Sequence, residues 1–180
     1  MRIIAGEWRG RTLRAPEGLA TRPTADRTRE TLFNMLASRL GSFEGLAVAD
    51  LFAGSGALGL EALSRGAATC LFAENDAAAV RALRANIAAL RAQERCDVRA
   101  GSALTLGPAK APLDLILIDP PYGSGAGAVA LDKLSRLGWA GPATWIALET
   151  GRDEAVDVKG FALDASRHVG KARIHLLRVE

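Results

Sequence analysis

Short apolar runs alternate with helix-forming segments along most of the chain, and this alternation limits the folds that are open to it. The apolar runs lie at residues 46–52, 68–73, 113–118 and 144–148, and residues 97–99 predict a further short strand. Four acidic residues stand at or near the ends of these runs, and they are Asp50, Glu74, Asp119 and Glu149. Strands that alternate with helices predict a doubly wound α/β fold. Such sheets bind ligands beyond the carboxyl ends of their strands, where we expect the four acidic residues to meet.

The two ends of the chain depart from this alternation. Residues 2–14 predict two short strands, and Thr24 or Asp26 can cap the helix that follows them. Residues 161–180 predict a hairpin. We therefore expect a small N-terminal hairpin and helix extension followed by a ligand-binding domain, and these two parts are residues 1–40 and 41–180.

The composition is that of an ordinary globular protein. Of the 180 residues, 49% are hydrophobic and 24% are charged. No apolar run reaches the roughly 20 residues that cross a bilayer, and the N-terminus lacks the apolar core of a signal peptide. Two cysteines without C-x-x-C spacing predict reduced thiols, and two histidines give little support to a metal site. We expect a cytoplasmic monomer that binds neither a membrane nor a metal.

Positive charge is concentrated in residues 1–40, which carry eight arginines, no lysine and four acidic residues. The guanidinium group of arginine can pair with a phosphate through two hydrogen bonds. The asymmetry favours a polyanionic partner such as a nucleic acid, although a solvated charged surface would give the same pattern.

The first motif follows the first apolar run, where Gly54, Gly56 and Gly59 match the pattern G-x-G-x-x-G. By itself this pattern is typical of NAD enzymes. Asp50 changes the interpretation, because a carboxylate beside the turn would repel a pyrophosphate but could hold a cationic amine or sulfonium. Glu74 ends the second run and can accept hydrogen bonds from ribose hydroxyls. These features together favour S-adenosylmethionine as the ligand.

The second motif, Asp119-Pro120-Pro121-Tyr122, directly follows the fourth apolar run. Two prolines stiffen the loop and leave their carbonyl oxygens free to accept hydrogen bonds. A flat base could stack on Tyr122 while its amino group donates to Asp119 and to the Pro120 carbonyl. Positioning of the amine, and stabilisation of the charge that grows on its nitrogen, would supply most of the rate. The motif therefore predicts methyl transfer to an exocyclic amine of a nucleic-acid base.

Four segments of the chain together resemble one family, and they lie at residues 2–13, 22–34, 51–67 and 119–122. They are similar to the RsmD family, the bacterial 16S ribosomal RNA guanine-N2 methyltransferases. The resemblance implies a Rossmann-like class I methyltransferase fold with a seven-stranded, mostly parallel sheet. It implies methylation of the exocyclic N2 of one guanine, guanine 966 in the family's naming. The cofactor would be S-adenosyl-L-methionine, the product S-adenosyl-L-homocysteine, and the partner 16S rRNA in the small ribosomal subunit or its assembly intermediate.

The resemblance also implies roles for individual residues. The catalytic residues would be Asp119, Pro120, Pro121 and Tyr122. The cofactor-binding residues would be Asp50, Phe52, Ala53, Gly54, Ser55, Gly56, Gly59, Glu74, Asn75, Ser102 and Ala103. The RNA-facing residues would be Arg9, Arg11, Arg22, Arg27 and Arg29, of which one or two could instead tie the N-terminal segment to the domain. Ser102 departs from the pattern, because many methyltransferases have an acidic residue there.

Three other functions are compatible with parts of the sequence. A DNA adenine-N6 or cytosine-N4 methyltransferase could use the same tetrapeptide, although few residues lie outside the core to read and flip a base in a duplex. An NAD-dependent oxidoreductase could use the glycine pattern, but Asp50 disfavours it. A non-catalytic rRNA-binding assembly factor could keep the fold without the activity.

Overall fold

A computed structural model describes residues 1–17 and 23–180 of the chain. Within these residues one sheet has seven strands, which are β1 (Ala47–Leu51), β2 (Thr69–Glu74), β3 (Cys96–Ala100), β4 (Leu115–Ile118), β5 (Trp145–Gly151), β6 (Phe161–Val169) and β7 (Ala172–Val179). The α-helices are α1 (Pro23–Leu40), α2 (Ala57–Ser64), α3 (Ala77–Ala89) and α4 (Ala126–Arg136). No helix in the described ranges has both the length and the apolar character to cross a membrane.

The order of the strands in the sheet is β3-β2-β1-β4-β5-β7-β6. Strands β1 to β5 pair in parallel, whereas β7 runs antiparallel to both β5 and β6. The predicted α/β fold and the predicted C-terminal hairpin are therefore confirmed. The chain changes direction across the sheet between β1 and β4, so the loops that follow these two strands flank the switch point where such sheets bind ligands.

The N-terminal hairpin is less regular than predicted. Arg2 bridges Thr12 in antiparallel fashion, but residues 2–14 do not form two strands. The turn of this hairpin hydrogen-bonds to α2 instead of continuing the pairing between two strands. The N–H of Glu7 donates to the Ser64 carbonyl at 2.8 Å. The prediction of two strands was therefore wrong in detail, although the chain does reverse at the expected place.

Two element boundaries also differ from the prediction. Helix α1 begins at Pro23, so the predicted caps Thr24 and Asp26 lie inside it. Proline suits a first helical position, since its fixed φ and its missing N–H cost nothing there. Strand β5 extends past Glu149 to Gly151, because its last residues pair with β7.

The sheet separates two apolar cores. On one face, α1, α2, α3 and the N-terminal hairpin pack together around Phe33, Phe72 and Trp8. On the other face, α4 packs Leu131 and Leu134 against β1, β4 and β5. The N-terminal hairpin and α1 thus share one core with the sheet.

Buried polar side chains of α2 and α3 fasten the N-terminal segment to the domain. Glu61 is fully buried and accepts a hydrogen bond from the N–H of Ile4 at 2.8 Å. The Asn86 side chain bonds both backbone groups of Arg14, accepting from its N–H at 2.7 Å and donating to its carbonyl at 3.0 Å. It also donates to the Ser55 carbonyl at 3.0 Å. Asn86 therefore links the N-terminal segment to the loop after β1.

Candidate active site

A cavity of about 600 Å³ opens beside the carboxyl ends of β1, β4 and β5. The loop after β1 contributes residues 52–55 to its lining, and Asp50, Asp119 and Glu149 line it as well. The N-terminal extension completes the lining with residues 1, 15, 16, 25, 26, 28 and 29. The structure thus brings both sequence motifs and the N-terminal extension to one cavity.

Asp50 has one satisfied oxygen and one open oxygen. It is 1% exposed, and its Oδ2 accepts a hydrogen bond from the N–H of Gly59 at 2.9 Å. No described residue hydrogen-bonds to Oδ1. Burial raises the pKa of Asp50 to about 8, against the opposing effect of the Gly59 N–H and with a contribution from the charge of Glu74. A cationic group beside Oδ1 would favour the ionised form and satisfy the open oxygen.

The three glycines of the first motif have different surroundings. A Cβ on Gly56 would lie 2.3 Å from Leu83 Cδ1, and a Cβ on Gly59 would lie 2.4 Å from Phe72 Cε1. These two glycines let α2 pack closely against its neighbours. Gly54 has a φ of +56°, lines the cavity, and a Cβ there would meet no described atom within 4 Å. Gly54 is therefore the glycine that keeps the backbone bare beside the cavity.

Phe52 separates the main cavity from a smaller one and lines both. Its φ of +59° lies in the left-handed region, where bulky residues are rare outside constrained sites. The smaller cavity is also lined by Ala73, Glu74, Asn75, Gly101, Ser102 and Ala103. The residues expected at the ribose and adenine are thus brought together next to the glycine-rich loop.

Two polar side chains of the smaller cavity also bond the backbone. Glu74 accepts hydrogen bonds from the N–H groups of Gly54 at 2.8 Å and Asp76 at 3.0 Å, one on each oxygen. Ser102 Oγ accepts from the N–H of Leu104 at 3.1 Å. Each carboxylate oxygen has a second lone pair, and the Ser102 hydroxyl has its own hydrogen to donate. Both side chains can therefore hold a ligand without giving up these bonds.

Asp119 and Glu149 stand side by side at the carboxyl end of the sheet. Ile118 of β4 lies opposite Leu148 of β5, so Asp119 and Glu149, which follow them, are neighbours, and both line the same cavity. Burial raises the pKa of Asp119 well above its ordinary value, and the charges of Glu149 and Asp50 add to the shift. Burial also raises the pKa of Glu149, against its hydrogen bonds from Tyr122 and Asp119. Burial and the charge of Glu149 therefore both disfavour the ionised form of Asp119.

Tyr122 connects the second motif to this acid pair. Its hydroxyl donates to Glu149 Oε1 at 2.6 Å, while 52% of the residue stays exposed. Burial and the neighbouring Glu149 raise its pKa, so the hydroxyl keeps its proton. Ser124 Oγ donates to the Pro121 carbonyl at 2.6 Å. Pro120 is buried and Pro121 is exposed, and both prolines and Tyr122 lie outside the described lining of the cavity.

Sequence reasoning found Asp119 but left Glu149 without a role, although both are acids at the ends of predicted strands. The register of β4 against β5 places the two residues next to each other, and this register cannot be read from the sequence. The described residues contain no group of three or more histidine, cysteine or acidic side chains that could hold a metal ion.

Three of the five predicted RNA-facing arginines are exposed, and they are Arg9, Arg11 and Arg27. Arg11 also donates from Nη2 to the Ala89 carbonyl at 2.9 Å, at the end of α3. Arg22 lies outside the described residues. The exposed arginines thus give the N-terminal extension a positively charged surface.

Arg29 does not belong to that surface. It is 4% exposed, and its guanidinium group donates to the Arg2 carbonyl and to Asp26 Oδ1 at 3.2 Å. Its Nε lies 3.6 Å from Glu61 Oε1. These buried contacts correct the expectation that Arg29 faces RNA, because they tie the N-terminal segment to α1 and α2.

Comparison with known proteins agrees with this arrangement. The model of the family described as "Conserved hypothetical protein 95" matches residues 1–178. A stretch of 150 residues is 41% identical to ribosomal RNA small subunit methyltransferase D of Escherichia coli K12 and covers 83% of this chain and 74% of that protein. The chain belongs to the RsmD family.

A further relative and two solved structures are similar over most of the chain. The protein of the same name in Haemophilus influenzae is 39% identical over 158 residues, which are 86% of this chain and 80% of the relative. The solved structure of yhhF from Escherichia coli matches with a TM-score of 0.87 and 37% identity, covering 100% of this chain and 98% of that one. TrmN from Thermus thermophilus matches with a TM-score of 0.67 and 26% identity, over 84% of this chain and 48% of that one. These matches confirm the predicted class I methyltransferase fold.

Proposed function

We propose that this protein transfers a methyl group from S-adenosyl-L-methionine to the exocyclic N2 of one guanine in 16S rRNA, within the small ribosomal subunit or its assembly intermediate. The observation that carries the proposal is the single cavity lined both by Asp50 with Gly54 and by Asp119 with Glu149. The names of the relatives support ribosomal RNA as the substrate. We also propose that the protein acts in the cytoplasm as a monomer.

The residues around the cavity fit S-adenosyl-L-methionine, which supplies a methyl group on a positively charged sulfur. Asp50 offers a buried, open oxygen to a cationic amine. Gly54 keeps its backbone bare beside the space that the ligand would fill. Glu74 would accept hydrogen bonds from the ribose hydroxyls, and Ser102 with Ala103 would lie against the adenine. A pyrophosphate would instead meet the carboxyl group of Asp50, which disfavours NAD.

In the proposed reaction, Asp119 accepts a hydrogen bond from the amino group of the base, and the base stacks on the exposed ring of Tyr122. The Pro120 carbonyl is a second acceptor for the same amino group. These contacts turn the nitrogen lone pair out of conjugation with the ring and toward the methyl group. The negative charge of the Asp119–Glu149 pair stabilises the positive charge that grows on the nitrogen. S-adenosyl-L-homocysteine would leave, and the methylated amine would lose one proton to a carboxylate of the pair. Positioning for in-line attack supplies most of the rest of the rate enhancement.

The exposed arginines of the N-terminal extension would bind phosphates of the RNA. Arg9, Arg11 and Arg27 provide this charge, and binding through phosphates is expected to weaken with salt. Residues 1, 15 and 16 of the same extension line the cavity. RNA held by the extension would therefore lie next to the site of methyl transfer.

Identification of the methylated nucleoside tests the proposal. The protein is incubated with labelled S-adenosylmethionine and with small subunits, naked 16S rRNA or duplex DNA from a strain that lacks the activity. We expect label in N2-methylguanosine from the particle or the rRNA, and none with Asp119→Ala protein. Label in N6-methyladenine or N4-methylcytosine of DNA would contradict the proposal, and a protein that binds rRNA without labelling any substrate would be a non-catalytic assembly factor.

A further inference from the structure

Glu149 has a fixed position beside Asp119, and the reaction described above gives it no contact of its own with the base. Strand β5 continues through Glu149, which pairs with Ile174 of β7, so its backbone is held on that side. The Tyr122 hydroxyl donates to Oε1 at 2.6 Å and holds the carboxyl group. Glu149 also lines the cavity together with Asp119. Two carboxyl groups therefore face one cavity from adjacent strands.

The three bases with an exocyclic amine differ at the ring nitrogen next to it. In guanine, the neighbour N1 carries a hydrogen, so the base presents two adjacent donors, N1–H and N2–H. In adenine and cytosine, the ring nitrogen beside the amine has a lone pair and no hydrogen. A second carboxylate beside the one that accepts from the amine therefore suits guanine, because it can accept from N1–H. With adenine or cytosine, the same carboxylate would face the lone pair of the ring nitrogen, and two hydrogen-bond acceptors would oppose each other.

We propose that Glu149 determines the specificity for guanine by accepting a hydrogen bond from N1–H while Asp119 accepts one from the amino group. The inference rests on the proposed function and explains what the D-P-P-Y tetrapeptide alone leaves open, namely which base is methylated. Tyr122 contributes by fixing one oxygen of Glu149, so that the other is presented to the base.

The substitution Glu149→Gln distinguishes a hydrogen bond from Glu149 to the base from a general structural role of Glu149. The amide keeps the shape of the side chain and can still accept from Tyr122 through its oxygen, but its NH2 group presents a donor where Glu149 presents an acceptor. The matching substrate change replaces the target guanine by 2-aminopurine, which keeps the amino group on the same ring carbon but has no hydrogen on N1. The two changes remove the same hydrogen bond, one from the protein and one from the base. Testing them together therefore distinguishes loss of this hydrogen bond from loss of the protein's folded structure.

The experiment measures kcat/KM for reconstituted small subunits that carry guanine or 2-aminopurine at the methylated position. We expect the unsubstituted protein to prefer guanine by about 10- to 100-fold, the value of one matched base contact. Glu149→Gln should lower the rate with guanine and reduce or reverse this preference. Glu94→Gln is the control: Glu94 is an exposed acid that lies outside the described lining of the cavity, so its substitution should keep the preference.

The outcomes separate the inference from the proposed function. Unsubstituted protein that methylates 2-aminopurine as well as guanine would overturn the role of Glu149 and leave the proposed function intact, and this comparison stands even if Glu149→Gln protein does not fold. A folded Glu149→Gln protein that slows both substrates equally would also overturn it. Unsubstituted protein that methylates neither substrate, nor native particles, would overturn the proposed function and the inference together.

Discussion

The loops after β1 and β4 both connect a buried strand to a helix beside the same cavity, yet they are held in different ways. The loop after β1 and the first turn of α2 are fixed by carboxylates that accept from their backbone, Glu74 from Gly54 in the loop and Asp50 from Gly59 in the helix. The loop after β4 is fixed by its two prolines and by side-chain contacts such as that of Tyr122 with Glu149. The first loop therefore presents bare backbone to a ligand, whereas the second presents carboxyl groups and an aromatic ring.

The acidic side chains beside the two loops also differ. Asp50 is a single buried acid with an open oxygen, which suits a fixed cation. Asp119 and Glu149 are two neighbouring carboxyl groups that line one cavity, which suits a neutral partner with N–H donors. The difference indicates a division of labour, in which the loop after β1 holds the cofactor and the loop after β4 holds the base.

The largest expected effect that tests this division is on turnover. Asp119→Asn keeps the size of the side chain but removes the charge that stabilises the developing positive nitrogen. We expect kcat for rRNA methylation to fall by about 10²- to 10³-fold, the usual cost of one such electrostatic contact. Single-turnover transfer of labelled methyl groups measures it, and a variant with near-normal turnover would contradict the role assigned to the loop after β4.

The next effect is on cofactor affinity. A Cβ added by Gly54→Ala would enter the open space beside the cavity, and we expect the affinity for S-adenosylhomocysteine to fall by about tenfold or more, since each 1.4 kcal/mol is a factor of ten. Gly160→Ala is the control, because Gly160 also has a positive φ and open space but lies just before β6. Equal affinity in the two variants would mean that Gly54 does not face the cofactor.

A third prediction separates the packing glycine from the ligand-facing one. In Gly59→Ala the new Cβ would lie 2.4 Å from Phe72 Cε1 and 2.7 Å from Cys70 Sγ, so α2 or β2 must shift. We expect the free energy of unfolding to fall by about 1–3 kcal/mol, as for other overpacked cores. Urea denaturation measures the change against Gly107→Ala, where a Cβ meets no described atom within 4 Å. A Gly59→Ala protein as stable as that control would refute the packing explanation.

The smallest expected effect is a proton released on cofactor binding. The pKa of Asp50, raised to about 8, leaves the carboxyl group mostly protonated at pH 7 in the free protein. A bound ammonium group would lower that pKa and expel the proton, so affinity should rise with pH up to about 8, where the amino group of the ligand itself begins to lose its charge.

Calorimetry of S-adenosylhomocysteine binding in buffers of different ionisation enthalpy counts the released protons. We expect a substantial fraction of one proton at pH 7 for the unsubstituted protein and almost none for Asp50→Asn. Proton uptake on binding, or release that survives in Asp50→Asn, would show that Asp50 does not face the cation.

Much of the fold and of both motifs could be predicted from the sequence, because these features depend on residues that are close together along the chain. Apolar runs located the strands, and Asp50, Gly54 and Asp119 stand at fixed offsets from them. The glycines could not be sorted in the same way. Whether a Cβ on Gly56 or Gly59 collides depends on Leu83 and Phe72, which tertiary packing brings close.

The helical periodicity of α1 distinguishes an exposed arginine, Arg27, from a buried one, Arg29. Arg27 and Arg29 differ by two helical positions, which point to different sides of α1. Arg29 precedes the buried residues Leu32 and Phe33 by three and four positions, so it lies on their face and is buried. Periodicity could therefore have separated the two arginines, whereas the ion pair of Arg29 with Glu61 required the fold.

The division of labour between the two loops is tested most directly by titrating S-adenosylhomocysteine into Asp119→Asn and Gly54→Ala proteins under the same conditions. The account predicts that Asp119→Asn binds the ligand within about twofold of the unsubstituted protein, as expected for a change outside the ligand's contacts, while Gly54→Ala binds at least about tenfold more weakly. Equal losses of affinity in the two variants would contradict the account, because the loop after β4 would then hold the cofactor as much as the loop after β1.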